Sequence, residues 1–266
     1  MALGARRWHS KGPIPAVLPP MRLAVLTDLH ANREATEAVL ATVARLAPDR
    51  IVLLGDIVGY GPDPVFAVEA AARLVEDGAL CVLGNHDEAT VQGPGGMTPH
   101  AHDAIVWTRA QLSPAHLAFL SSLKLTAELP GLLLVHASAA APGKWPYLRH
   151  GKAARECLAA TTAPLVLCGH THVPAIHYAL PGREPVCFTP LPQIAAPLSA
   201  IRRHVVVVGA VGQPRDGNPA ACLALLDTDR REVTMIRVPY DTQETARKIA
   251  AAGLPDWLGL RLQVGR

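Results

Sequence analysis

Five short apolar runs, each breaking off into a residue that can bind a cation, restrict this chain more than any other feature. Residues 22–27 lead into Asp28 and His30, and residues 51–54 into Gly55-Asp56. Residues 79–83 lead into Gly84-Asn85-His86-Asp87, Leu132–Val135 into His136, and Leu165–Cys168 into Gly169-His170-Thr171-His172. Such runs, bounded by glycine or polar residues, read as buried strands. In open α/β sheets ligand sites form at the carboxyl ends of strands, so the five tips are expected to converge on one crevice. Side chains alternate along extended backbone, which is expected to turn Asp28 with His30, and His170 with His172, to the same side.

Taken singly, these residues say little, because an aspartate after a strand is often a helix cap and a loop histidine is often a surface residue. Their joint occurrence at five strand ends is what points to a metal site. Imidazole, carboxylate and amide oxygen together suit Mn²⁺, Fe²⁺ or Zn²⁺ better than Ca²⁺, which takes nearly all-oxygen shells.

Helical patterns fill the intervals. Asn32 is placed to cap a helix carrying Ala35, Ala38, Val39, Thr42, Val43 and Leu46 and stopped by Pro48, and Asp63-Pro64 opens a second that ends at Gly78. After a glycine-rich loop at 93–96, residues 101–111 and a segment capped by Ser113-Pro114 read as a helical insertion, and further helices are predicted at 152–159 and 242–252. Pro130-Gly131 marks a hairpin between 125–129 and Leu132–Val135. Beyond Ala175 the pattern is again hairpin-like, with Pro181-Gly182 and apolar runs at 204–208, 221–226 and Glu232–Val238. This order predicts an α/β fold of two packed β-sheets, one mainly parallel and one partly antiparallel, flanked by helices.

The 266 residues suffice for a single large domain, read as 21–266. Residues 1–20 are proline-rich and basic without an acid, and are expected to be a disordered extension; a transit peptide, or a true start at Met21, are the alternatives. Lys and Arg total 25 against 22 Asp and Glu, a net charge of +3 without any like-charge run, so there is no strong nucleic-acid signal and no polybasic membrane anchor. No apolar run reaches the length of a membrane span. The 5 cysteines, Cys81, Cys157, Cys168, Cys187 and Cys222, lack C-x-x-C spacing, which argues against disulfides and zinc ribbons and for the reducing cytoplasm.

In order along the chain, Asp28-Leu29-His30, Gly55-Asp56, Gly84-Asn85-His86-Asp87, Val135-His136 and Gly169-His170-Thr171-His172 resemble the five signature blocks of the calcineurin-like metallophosphoesterases. The resemblance implies a four-layer αββα sandwich of two mixed sheets, with two divalent metal ions at the strand ends, Mn²⁺ being favoured. Carried over residue by residue, it implies that Asp28, His30, Asp56 and His172 hold one ion and Asp56, Asn85, His136 and His170 the other. Asp56 is then the bridge, His86 the catalytic histidine and Asp87 its orienting partner. The implied activity is two-metal-dependent phosphoester hydrolysis by a metal-bridging hydroxide.

A narrower resemblance, in Asp28-Leu29-His30-Ala31-Asn32, Gly59-Tyr60-Gly61-Pro62-Asp63-Pro64 and the segment from Val211 to Gly217, is to a bacterial phosphodiesterase-like subfamily, some of whose members cleave diadenosine tetraphosphate. It implies a small phosphodiester or nucleotide as substrate; a phosphoprotein phosphatase and a noncatalytic scaffold of the same fold are the alternatives. That subfamily usually carries a serine where Ala210 stands. Three residues are candidate substrate contacts, each with a plainer reading: Arg215 as a clamp on a second phosphate or a turn residue paired with Asp216, Asn32 as a substrate contact or a helix cap, and Tyr60 as a base-stacking ring or loop packing. His100, His102, His116, His150, His177 and His204 are expected to be surface or helper residues, with His102 the most open to another role because its insertion could cover the crevice.

Overall fold

The structure is a computed structural model and describes residues 19–179, 183 and 185–266. Most of the 1–20 extension and the Pro181-Gly182 turn lie outside the described residues. In chain order the elements are β1 (Arg22–Leu26), α1 (Arg33–Leu46), β2 (Arg50–Leu53), α2 (Pro64–Glu76), β3 (Leu80–Cys81), α3 (Asn85–Gln92), α4 (Pro99–Gln111), α5 (Pro114–Ser122), β4 (Thr126–Leu129) and β5 (Leu132–Val135). They continue with α6 (Gly151–Ala159), β6 (Leu165–Cys168), β7 (Ala175–Tyr178), β8 (Val186–Phe188), β9 (Ala195–Pro197), β10 (His204–Val207), β11 (Ala221–Asp227), β12 (Glu232–Val238), α7 (Thr242–Ala251) and α8 (Asp256–Val264).

The strand alternation sets the layers. Leu23 and Val25 of β1 meet Leu132 and Leu134 of β5 in a core between the sheets, while Ala24 and Leu26 face the opposite way, onto Val39 and Val43 of α1 and Val68 of α2. On the far side Leu133, Val135, Val166 and Val205 are covered by Ala154, Cys157 and Leu158 of α6. Each sheet is thus apolar on both faces, as a four-layer αββα sandwich requires.

Both sheets are mixed. The first has the order β3-β2-β1-β11-β12-β9 and the second β4-β5-β6-β10-β7-β8. Strands β1, β2 and β3 run parallel, β11 enters antiparallel beside β1, and the rest of that sheet is antiparallel. In the second sheet β5, β6 and β10 are parallel, with antiparallel neighbours on either side. The expected division into one mainly parallel and one partly antiparallel sheet is therefore corrected. Each sheet carries three adjacent parallel strands, at one edge of the first sheet and in the middle of the second, and the later strands add to both. Strand β3 is also shorter than the predicted 79–83 run, because Val82 leaves it for a bridge to Lys124.

Candidate metal centre

The two sets of parallel strands end side by side. Asp28 follows β1, Asp56 follows β2, Asn85 opens α3 just past β3, His136 follows β5, and His170 and His172 follow β6. What turns these side chains inward is not the extended alternation expected from the sequence. Asp28, His30, Asp56, His170 and His172 all adopt left-handed backbone, with φ between 48° at His30 and 65° at His170. Each such non-glycine residue costs about 1–3 kcal/mol, tolerated where the surroundings dictate it. Here the backbone N–H groups of Asp28 and His30 donate to the carbonyls of Gly55 and Asp56 at 3.0 and 2.9 Å, tying the first kink to the second.

Two donor sets result. Ligand atoms of Asp28, His30, Asp56 and His172 lie within 4.8 Å of one another, as do those of Asp56, His136 and His170. Asn85 joins the second set, its Oδ1 lying 3.1 Å from His136 Nε2. The seven residues are those that the sequence nominated. Asp56 belongs to both sets: its Oδ2 lies 3.7 Å from His30 Nε2 and 3.3 Å from His136 Nε2.

Protonation and hydrogen bonding fit a cation. His30, His136 and His172 place Nδ1 on the backbone carbonyls of Val58, Leu54 and Gln213, at 3.1, 2.7 and 2.6 Å. A carbonyl only accepts, so each Nδ1 carries a proton and each Nε2 is the nitrogen left for a cation, the arrangement of metal-bound histidines. Asp28 Oδ2 accepts from Thr27 Oγ1 and His170 N–H, whereas the buried Oδ1 has no hydrogen-bond partner among the described residues and faces His172 Nε2 at 3.2 Å. Burial holds His30 well below the usual imidazole range and lowers His172. Burial would raise Asp56, but the imidazoles of His136 and His86 outweigh it and keep the carboxyl well below its usual value. His136 differs from His30 and His172: burial would lower its imidazole, but the Asp56 carboxylate outweighs burial and raises it to about 9, so a divalent cation binding there would displace a proton from that ring.

His86 stands in neither set. Its ring lies 4.8 Å from that of His30 and 4.4 Å from that of Tyr60, and burial pushes it down to about 4, so the ring is neutral at pH 7. Its backbone N–H donates to Asp56 Oδ1 at 2.8 Å. Asp87 does not orient the ring as expected. Its carboxylate accepts from the backbone N–H groups of Ile57, Val58 and Gly84 at 2.9, 3.2 and 3.0 Å, while His86 Nδ1 is buried without a hydrogen-bond partner among the described residues. Asp87 therefore fixes the β2 and β3 tips against each other. Its position as the third residue of α3 makes this a helix-capping role.

The candidate substrate residues separate. Asn32 caps α1 through Ala35 N–H at 3.1 Å and donates to Gly212 O and Tyr240 Oη, so this buried side chain is spent on the scaffold. Tyr60 packs against His30 and His86 and borders the cavity described below. Arg215 donates to Gln213 Oε1 at 2.7 and 3.1 Å, and its guanidinium lies 5.6 Å from the Tyr60 ring centre. Its expected turn partner, Asp216, pairs instead with Arg237. Of the six remaining histidines, His177 and His204 are buried core residues, contrary to the surface expectation, while His150 caps α6. The sequence reading missed Trp145 and Tyr147, whose rings lie against His136 and His170 at 5.7 and 4.2 Å. No local pattern marks them, because they reach the site from an irregular loop.

The fold and the donor sets define a two-sheet α/β sandwich with a divalent-cation site where its parallel strands end. The chain belongs to the calcineurin-like phosphoesterase superfamily, whose domain profile matches residues 21–231. It is 32% identical over 250 residues to the uncharacterized protein MJ0912 of Methanocaldococcus jannaschii, covering 92% of this chain and 98% of that one. Its fold is similar to that of a metallophosphoesterase from Sphaerobacter thermophilus, with 37% identity, a TM-score of 0.82, and coverage of 93% of this chain and 100% of that one. The fold of protein PH1004 from Pyrococcus horikoshii OT3 is also similar, with a TM-score of 0.73 at 19% identity, covering 92% of this chain and 98% of that one. The family and the buried Asp/His cluster together make this a metal-dependent phosphoesterase.

Proposed function

We propose that the protein hydrolyses a small phosphodiester or nucleotide with two divalent cations, Mn²⁺ being favoured over Fe²⁺ and Zn²⁺. The observation that carries this is Asp56 Oδ2, set between His30 Nε2 and His136 Nε2 and so shared by the two donor sets. Divalent cations held by Asp28, His30, Asp56 and His172 and by Asp56, Asn85, His136 and His170 would lower the pKa of a bound water and neutralise the phosphoryl oxygens. The chain's own part is to hold the donors rigid and to offer His86 at the edge of the centre. As a neutral imidazole, His86 donates a hydrogen bond to the oxygen that leaves. Asp87 keeps the His86 backbone in place through the β2 and β3 tips, and Arg215 behind Tyr60 supplies positive charge for a further phosphate.

All 5 cysteines are free thiols, which supports a reducing, cytoplasmic location. Among the described residues no helix is long and apolar enough to cross a membrane.

The test is hydrolysis of bis(4-nitrophenyl) phosphate, 4-nitrophenyl phosphate and diadenosine tetraphosphate with Mn²⁺ and with chelator. Metal-dependent cleavage of the diester or the dinucleotide is expected. Cleavage of the monoester alone would make the protein a phosphatase, and no turnover with a full metal load would make it a scaffold.

A further inference from the structure

Beside the metal centre a cavity of about 910 Å³ opens between α3, the start of α4 and the loop carrying Trp145 and Tyr147. Asn85, His86 and His170 form its inner end, so a group attached to a phosphorus at the centre would extend into it. Its volume lies in the range of small-molecule sites.

The chemistry of its walls is selective. Among the described residues that border it there is no lysine or arginine, and the carboxylate present, Glu88, repels a second phosphate. Arg215 is not among the bordering residues. Three aromatic rings are: Tyr60, Trp145 and Tyr147. Tyr147 is 47% exposed and stacks on the His170 imidazole at 4.2 Å with 23° between the planes, and the Arg149 guanidinium lies over the same ring at 4.3 Å, so both faces of this ring are taken. The Trp145 indole N–H donates to Glu88 Oε2 at 2.9 Å, joining the loop to α3 across the cavity.

The loop holding these rings is strained. Ala141 and Trp145, on either side of the 3-10 turn Pro142–Lys144, are both left-handed, at φ 57° and 53°. Strain of this kind persists where the surroundings impose it and clusters at ligand clamps. The Glu88 bond is one contact that imposes it. Gln92 and Thr98 add a neutral amide and a hydroxyl to the opposite wall.

We propose that this cavity is the subsite for an uncharged nucleoside arm of a phosphodiester, with the base held against Trp145. The assignment rests on the phosphoesterase reading above and specifies its substrate class. The Trp145 surface favours a planar base, neutral polar groups suit its edge and the ribose hydroxyls, and with Glu88 on the wall and the Arg149 guanidinium held on the Tyr147 ring, a polyphosphate or acidic peptide is disfavoured in this direction.

Two readouts test it, one of them independent of turnover. Calorimetric titration with adenosine is expected to show saturable binding, and ribose alone none. Trp145→Leu is expected to weaken adenosine binding roughly 10- to 100-fold, and Trp145→Phe, which keeps a ring, to restore most of it. In the second readout thymidine 5′-(4-nitrophenyl) phosphate is compared with methyl 4-nitrophenyl phosphate, which has the same leaving group. The wild-type ratio of kcat/KM favours the nucleoside diester, and Trp145→Leu lowers that ratio about tenfold or more. Because Trp145 lies beside His136, the variants are compared at matched metal content and Tm. Adenosine binding that is absent, or equal in wild type and Trp145→Leu, overturns the subsite, as does an unchanged ratio. If adenosine binds and Trp145→Leu abolishes it while no diester is cleaved, the subsite stands and the phosphoesterase reading fails. If both diesters are cleaved equally well and adenosine does not bind, the reverse holds.

Discussion

His30 and His172, separated by 142 positions in the chain, bring their Nε2 atoms to 3.1 Å of each other, and each is pinned from behind by a backbone carbonyl. Two lone pairs facing at that distance repel unless a cation lies between them. With Asp28 and Asp56 adjoining, the arrangement is a pre-formed binding site whose rigidity comes from Val58 and Gln213, residues that touch no ligand.

Asp56→Asn removes the shared carboxylate charge. Metal analysis of the purified variant is expected to show one ion or none per chain, with hydrolysis abolished. An undiminished two-ion load would remove the bridging role.

His86→Asn is expected to keep both ions while kcat falls roughly 10² to 10³-fold, the range for removing a positioned hydrogen-bond donor to developing charge. Parallel loss of metal and activity would instead make His86 a ligand.

Gly59 lies behind that histidine. A Cβ there would sit 2.4 Å from His86 Nδ1, and the residue has φ +88°, which L side chains rarely adopt. Gly59→Ala is therefore expected to displace the ring, lowering kcat on the order of 10²-fold with the metal load kept. Urea denaturation should register the backbone strain as about 1–2 kcal/mol.

Asn32→Ala separates the scaffold role from substrate contact. Losing the α1 cap and the buried bonds to Gly212 and Tyr240 should cost about 1–3 kcal/mol, read from the urea midpoint. The KM of the folded variant is expected to stay near wild type. A large KM rise without a stability change would return Asn32 to the substrate.

His204 at the start of β10 gives an acid-side dependence of stability. Burial, with help from the Arg231 charge, pushes its imidazole down to about 4, against about 6.5 in an unfolded chain. Between these values the unfolded state binds more protons, so stability is full above about pH 6.5 and falls as pH drops toward about 4. Denaturation midpoints at pH 7.5 and 5.5 should differ less in His204→Phe than in wild type; parallel losses would rule this histidine out as a source.

The sequence by itself determined the donors and the strands that carry them. Apolar runs ending at Asp28, Asp56, His136 and His170 are local patterns, and burying both faces of each run forces the strands into the interior whatever their order. The helices at α1, α2, α6 and α7 were legible for the same reason, through caps, stop signals and apolar spacing. The tertiary structure decided what depends on distant partners. Strand β11 beside β1, and the short edge strands β8 and β9, follow from pairings that short segments do not specify. Helix α3 was hidden because its first turn is made of site residues rather than an apolar face. Asp87 looks from sequence like a group free to act, yet it is consumed by backbone N–H groups of Ile57 and Val58 that only the folded chain brings near, and the Asn32 cap legible in the sequence is joined by a bond to Gly212 that was not. The same holds for the left-handed backbone at Asp28, His30, His170 and His172. No local preference favours it in a non-glycine residue, so it exists only because hydrogen bonds and packing from other strands hold it there.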